Sequence, residues 1–184
     1  MALRIDNRLF CTQQCLLGLA YSGDLDDRCP NLGDHKGRHI SPNTFLSLIR
    51  TQLTNDRGRG ANYKPLYIKG SRGALFKVRL SLHGYMLVAK GIEKVEQKYL
   101  IHESKVYDHL RLIQGSHIPV SLGIVNLDLP YYYNAGVYFS MLFLSWADQV
   151  NMTLRELYVK QVLHRDVEPR NWLWDKQKWQ SNAC

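Results

Sequence analysis

The sequence predicts an α+β fold in which a five-stranded antiparallel sheet carries one helix and follows a helical N-terminal extension. Three observations predict it. Five segments between residues 65 and 146 have the composition and the turn spacing of strands. Apolar residues at helical spacing interrupt them once, at 99–112, and the same spacing occurs before residue 54. A segment rich in glycine, asparagine and charge, 55–64, separates the two parts.

The extension, residues 1–60, is expected to contain two short helices joined by a loop. Apolar positions at 11–20 suit the first helix, which should end at Gly23 and the aspartates that follow it. Ser41 suits the N-cap of the second helix, because apolar residues recur at helical spacing from Phe45 to Leu53. The residues between the two helices are expected to form a loop.

The sheet is expected within residues 61–150, as a three-stranded meander, a helix and two further strands. Glycine-containing turns separate the first three strands, and the residues from Pro130 to Gly136 are expected to turn between the last two. The strands are expected at 65–68, 74–82, 85–90, 118–125 and 137–146. Residues 151–184 are expected to form a third unit.

The net charge of +8 favours anionic ligands in general, without selecting one. Basic residues are scattered among acidic ones with no block of five or six, which disfavours nucleic acid as a partner. No apolar run approaches the roughly 20 residues that a membrane-spanning helix needs, and the N-terminus makes a poor signal peptide. An intracellular, cytoplasmic location is expected, where cysteines are thiols or metal ligands rather than disulfides.

Four soft ligands in the extension could converge on a zinc ion. Cys11 and Cys15 are separated by four positions on the expected first helix, and Cys29 and His35 follow in the loop. Their spacing is unlike that of common zinc fingers. The alternative is that the cysteines are buried and pack as small apolar residues, with Asp34 or His39 merely nearby. The sequence leaves the two interpretations open.

The segment His164-Arg165-Asp166-Val167-Glu168-Pro169-Arg170-Asn171 has the form H-R-D-x-x-x-x-N, which is the catalytic loop of protein kinases. In that loop a carboxylate accepts the proton of the substrate hydroxyl, and an amide oxygen five residues later binds the metal. Asp166 and Asn171 fit these two positions. The alternative is a surface loop with a chance match.

Three further segments resemble other protein-kinase motifs and follow one another in the same order as in kinases. Gly70 and Gly73 lie between the first two strands and resemble a Gly-rich phosphate loop, although an ordinary hairpin turn would also explain them. Lys90 ends a segment that resembles the V-A-I-K strand, whose lysine contacts phosphates. Glu103 lies on the helix that follows and would hold that lysine by an ion pair. Glu96, just before the helix, is the alternative partner.

Together these segments resemble the protein kinase-like superfamily over about 100 of the 184 residues. Several N-terminal and central segments resemble, more closely, a group of poorly characterised kinase-like proteins of filamentous fungi; these segments are 11–19, 25–31, 73–78 and 131–137. The resemblance implies a kinase N-lobe at 61–150, ATP and Mg²⁺ as cofactors, and a nucleotide as ligand. A protein partner is left open.

The chain departs from the kinase pattern in its last 40 residues. Only 17 residues, 147–163, separate the last strand from the catalytic-loop motif, and none of the 13 residues after Asn171 spells D-F-G. The aspartate that holds Mg²⁺ in kinases is therefore missing, and the C-lobe is expected to be truncated. Little or no phosphoryl transfer is expected. A non-catalytic, pseudokinase-like binding module is the alternative.

Overall fold

A computed structural model describes residues 5–58, 60–69 and 73–146, and it confirms the predicted α+β class with a five-stranded antiparallel sheet. Three helices accompany the sheet. In chain order the elements are α1 (Gln13–Tyr21), α2 (Pro42–Asn55), β1 (Tyr63–Lys69), β2 (Ala74–Leu80), β3 (Tyr85–Glu93), α3 (Gln97–His109), β4 (Ser121–Tyr133) and β5 (Gly136–Leu144). A short 3₁₀ helix, Leu32–His35, lies in the loop between α1 and α2.

The strands are arranged in the order β1-β2-β3-β5-β4, and every neighbouring pair is antiparallel. Strand β4 extends eight residues beyond its predicted end at 125, because the tyrosine-rich segment continues the ladder instead of turning. The turn consists of Asn134 and Ala135, both with positive φ, as a two-residue hairpin requires. Pro130 is tolerated because β4 lies at the edge of the sheet and its register shifts there.

Helices α1 and α2 cover one face of the sheet, and α3 lies on the other. Strand β5 shows this division most clearly, since its successive side chains point to opposite faces. Met141 and Phe143 join the core that contains α1 and α2, whereas Leu142 and Leu144 pack with Leu100 of α3. The extension thus shares its core with the sheet. The division of the chain at residues 60 and 150 stays a prediction.

The predicted helix starts in the extension are close to those observed. The Ser41 hydroxyl accepts a hydrogen bond from the backbone N–H of Thr44 at 3.1 Å and caps α2 as predicted. Thr12 caps α1 in the same way, by accepting from Cys15 N–H at 3.1 Å. None of the helices in the described part of the chain combines the length and the apolar character that crossing a bilayer requires.

Candidate metal centre

Three cysteines and one histidine meet in the core between α1, the following loop and the sheet. The ligand atoms of Cys11, Cys15, Cys29 and His35 all lie within 4.8 Å of one another, and all four residues are buried. Cys11 lies just before α1, Cys15 lies in its first turn, and Cys29 and His35 come from the loop, where His35 ends the 3₁₀ helix. The structure therefore brings together the set that the sequence left undecided.

Backbone and side-chain hydrogen bonds hold each cysteine in place. Cys11 N–H donates to the Met86 carbonyl of β3 at 3.0 Å, which fixes the chain before α1 against the sheet. The Asp26 carboxylate accepts hydrogen bonds from the Thr12 hydroxyl and from the backbone N–H of Arg28. The backbone carbonyl of Asp26 accepts one from Cys29 N–H at 2.9 Å. The hydrogen bond from Thr12 lowers the pKa of Asp26, against the opposing effect of burial, and those from Arg28 lower it further.

The imidazole of His35 is oriented toward the three sulfurs. Its Nε2 lies 3.3 Å from the Cys15 Sγ, 3.4 Å from the Cys29 Sγ and 3.9 Å from the Cys11 Sγ. Its Nδ1 lies 2.7 Å from the carbonyl oxygen of His83, to which it donates in the tautomer that leaves the Nε2 lone pair facing the sulfurs. Tetrahedral zinc, with its usual bond lengths, would separate a nitrogen and a sulfur ligand by about 3.6 Å.

Further residues surround the four side chains, as outer-shell partners do in metal centres: they donate hydrogen bonds to a sulfur or pack on the histidine ring. Met86 N–H donates to the Cys11 Sγ at 3.3 Å, and the Asn31 side-chain amide lies 3.5 Å from the same sulfur. The Tyr85 ring stacks on His35 with centroids 4.4 Å apart, and its hydroxyl lies 3.0 Å from His39 Nδ1. Sequence reasoning missed Met86, Asn31 and Tyr85, because nothing local to them indicates a metal.

The pKa values of the Cys15 and Cys29 thiols are shifted in opposite directions. Hydrogen bonds with Cys11 and Cys29, burial and the charges of these neighbours raise the pKa of the Cys15 thiol. Hydrogen bonds with Cys11 and Cys15 lower the pKa of Cys29, although burial opposes them. Burial lowers the pKa of His35, but hydrogen bonds with Cys11 and Cys29 outweigh burial and raise it to about 10. The shifts thus favour a thiolate at Cys29 beside a positively charged His35.

Of the other predicted site residues, the structure brings two together. Lys90 Nζ of β3 lies 2.6 Å from Glu103 Oε2 of α3, and both side chains are about 30% exposed. Gly73 has a φ of 105°, and a Cβ there would lie 2.3 Å from the Gly91 carbonyl oxygen, so backbone packing alone requires glycine. Gly70, Asp166 and Asn171 lie outside the described residues. Nucleotide contacts and the binding of ATP or Mg²⁺ stay predictions.

We expect the Lys90–Glu103 ion pair to contribute modestly to stability, by fastening α3 to the sheet. A double-mutant cycle with Lys90→Met and Glu103→Gln should give a coupling free energy of about 1 kcal/mol, because partial burial weakens solvent screening of the pair. Urea unfolding of the four proteins measures it. A coupling indistinguishable from zero would show that the contact is not maintained in solution.

Comparison with known proteins finds similarity to a curated protein over most of the chain. No family model matches. The chain is 33% identical over 189 residues to the meiotic driver SPOK2 of Podospora anserina. The match covers 92% of this chain and 24% of the relative, so the chain spans about a quarter of the length of the curated relative that it matches.

The kinase interpretation of the sequence is wrong. No kinase family model matches the chain, and the relative found is named as a meiotic driver. The assignments that depended on it, as a kinase-like, ATP-binding transferase or as a pseudokinase-like module, are therefore wrong too. The motifs on which it depended are short, and those in the described residues have structural explanations: Gly73 permits close backbone packing, and Lys90 with Glu103 joins a helix to the sheet.

Proposed function

We propose that this chain is a zinc-stabilised α+β module, in which Cys11, Cys15, Cys29 and His35 bind one Zn²⁺ ion. The observation that carries the proposal is the position of one imidazole nitrogen at 3.3 to 3.9 Å from three sulfurs. These separations bracket the ligand spacing of tetrahedral zinc, about 3.6 Å. Binding of a divalent cation would displace the protons of the cysteine thiols and of His35 Nε2, and the cation would offset most of the negative charge of the three thiolates.

Burial of the ligands supports a structural role for the ion rather than a catalytic one. The four ligands are between 0% and 5% exposed, and together they complete the coordination that structural zinc sites have. Catalytic zinc keeps an open position for water or substrate, and a closed Cys₃His set has none. Zinc would therefore join the chain before α1, α1 itself and the loop after it, and the hydrogen bonds between Cys11 and Met86 connect this unit to strand β3.

The alternative that the cysteines pack as apolar side chains does not explain His35. If the cysteines packed as neutral, apolar thiols, the fully buried His35 would have only weak partners at its Nε2, and desolvation of that nitrogen would cost free energy. The hydrogen bond from Nδ1 to the His83 carbonyl fixes the ring in this orientation, as in zinc-bound histidines. A metal ion accounts for both nitrogens.

Metal analysis of the purified chain tests the proposal. We expect one zinc per chain by elemental mass spectrometry, and substitution with cobalt should give the visible absorption of tetrahedral thiolate coordination. His35→Ala should lose the metal, whereas Cys184→Ser, which replaces a cysteine outside the cluster, should retain it. A folded chain that contains no zinc and takes up none would refute the proposal.

The similarity to SPOK2 supports the further proposal that this module serves meiotic drive. To test this, the matching quarter of SPOK2 is exchanged for this chain, and transmission of the hybrid gene is counted among meiotic progeny. The matched control is the same hybrid with His35→Ala. Drive that depends on His35 is expected, and Mendelian transmission of the unmodified hybrid would contradict the proposal.

A further inference from the structure

Helix α3 presents a row of basic side chains to solvent. Lys98, His102, Lys105 and His109 are exposed and, at about 100° per residue, fall within roughly 60° of one another around the helix axis. Leu100, which is fully buried, lies on the opposite side of the helix. These four residues are called the basic row. They project away from the sheet, where a large ligand could reach all of them.

The basic row itself contains no acidic residue. Solvated helix faces commonly alternate positive and negative residues three or four positions apart, because those pairs stabilise the helix and like charges destabilise it. Within the row, each member is followed three or four positions later by another lysine or histidine, up to His109. Of the two acids on α3, Glu103 binds Lys90 at the sheet, whereas Asp108 lies roughly 60° from Lys105 and roughly 80° or more from the other three members of the row.

We propose that the basic row binds the phosphate backbone of a nucleic acid. From Lys98 to His109 the helix rises about 16 Å, which corresponds to about five phosphates of one strand in a duplex. A row of evenly spaced donors suits a polymer with evenly spaced charges. Lys94, which is exposed just before α3, adds a cation at the N-terminal end of the row.

An anionic membrane fits the same surface less well. Membrane-surface helices gather their apolar side chains on one face, where these side chains insert together. The apolar side chains exposed beside the row, Tyr99 and Ile101, lie about 160° apart around α3, so they cannot insert at the same time. The scatter of basic residues along the sequence disfavours nucleic acid as a partner. In the structure, however, helix α3 places basic residues three and four positions apart on one side.

Fluorescence anisotropy of labelled 20-nucleotide single-stranded and duplex DNA and RNA tests the proposal. The variant Lys98→Gln/Lys105→Gln is compared with Lys36→Gln/Arg38→Gln, which removes the same charge from an exposed loop. We expect the row variant to weaken binding at least tenfold and to reduce the slope of log affinity against log salt by about 1.4 to 1.8. The loop variant should bind nearly as the original chain does.

Zinc content and thermal unfolding are measured for every protein, so loss of the metal centre is distinguished from loss of binding. Equal weakening by the two variants would show that net charge alone acts, and would overturn the proposal. So would an absence of binding to all four oligonucleotides. Sedimentation with phosphatidylserine vesicles provides the membrane comparison: vesicle binding that depends on Lys98 and Lys105, without oligonucleotide binding, would overturn it in favour of a lipid surface.

Discussion

Replacement of Cys15 by alanine is expected to release the zinc ion and to unfold the helical layer that contains α1. Structural zinc sites contribute free energies comparable with the whole stability of a domain, so we expect a loss of about 5 kcal/mol or more. Cys15 is fully buried in the main core, where α1 meets the sheet. Urea unfolding followed by circular dichroism, with and without added zinc, measures the effect.

The same substitution separates the metal interpretation from simple packing. If the cysteines packed only as small apolar side chains, removal of one sulfur would cost about 1 to 2 kcal/mol, and a chelator would change nothing. We expect instead that a chelator destabilises the original chain and leaves Cys15→Ala unaffected. Cys184→Ala serves as the matched control and should behave as the original chain does.

The helix starts could be predicted from the sequence because each is determined by residues within or next to the helix. Ser41 caps α2 through a hydrogen bond three residues away, which a local pattern can reveal. The extent of β4 could not be predicted in that way. Its continuation past Pro130 depends on pairing with β5 and on the edge position of the strand, and neither is a property of the segment itself.

The metal centre shows a similar limit. Residue types suggest the candidate ligands, but the predicted placement of Cys11 and Cys15 on one helix is not observed, because Thr12 caps α1 and Cys11 lies before it. The feature that supports our proposal of metal binding over packing is the orientation of His35, which depends on the carbonyl of His83 in the turn between β2 and β3. That contact joins residues 48 positions apart, so no local pattern contains it.

The kinase interpretation failed for a related reason. A lysine on a strand and a glutamate on the next helix form an ion pair in any fold that packs that helix on that strand. Lys90 and Glu103 do so here at 2.6 Å, and the contact alone says nothing about phosphate. Short motifs in the right order therefore predicted part of the architecture more reliably than they predicted chemistry.

Phe45→Ala is expected to cost about 3 to 5 kcal/mol, because it empties the centre of the core between α2 and the sheet. The Phe45 ring is fully buried and meets the rings of Tyr85 and Phe143 edge-on, at 6.1 and 5.9 Å between centroids. Loss of the ring removes both contacts and leaves a cavity that the rigid sheet cannot close. Urea unfolding of the zinc-loaded protein measures the change.

Two further substitutions serve as comparisons for the stability loss of Phe45→Ala. Phe45→Leu keeps most of the volume and should cost less than about 1.5 kcal/mol, whereas Tyr132→Ala removes a side chain that is 68% exposed and should change stability by less than about 0.5 kcal/mol. Because Tyr85 also stacks on His35, the cavity should weaken zinc retention in Phe45→Ala but not in Tyr132→Ala. Competition with a chromogenic chelator detects the difference. Equal stability losses from Phe45→Ala and Tyr132→Ala would show that α2 does not pack on the sheet through Phe45.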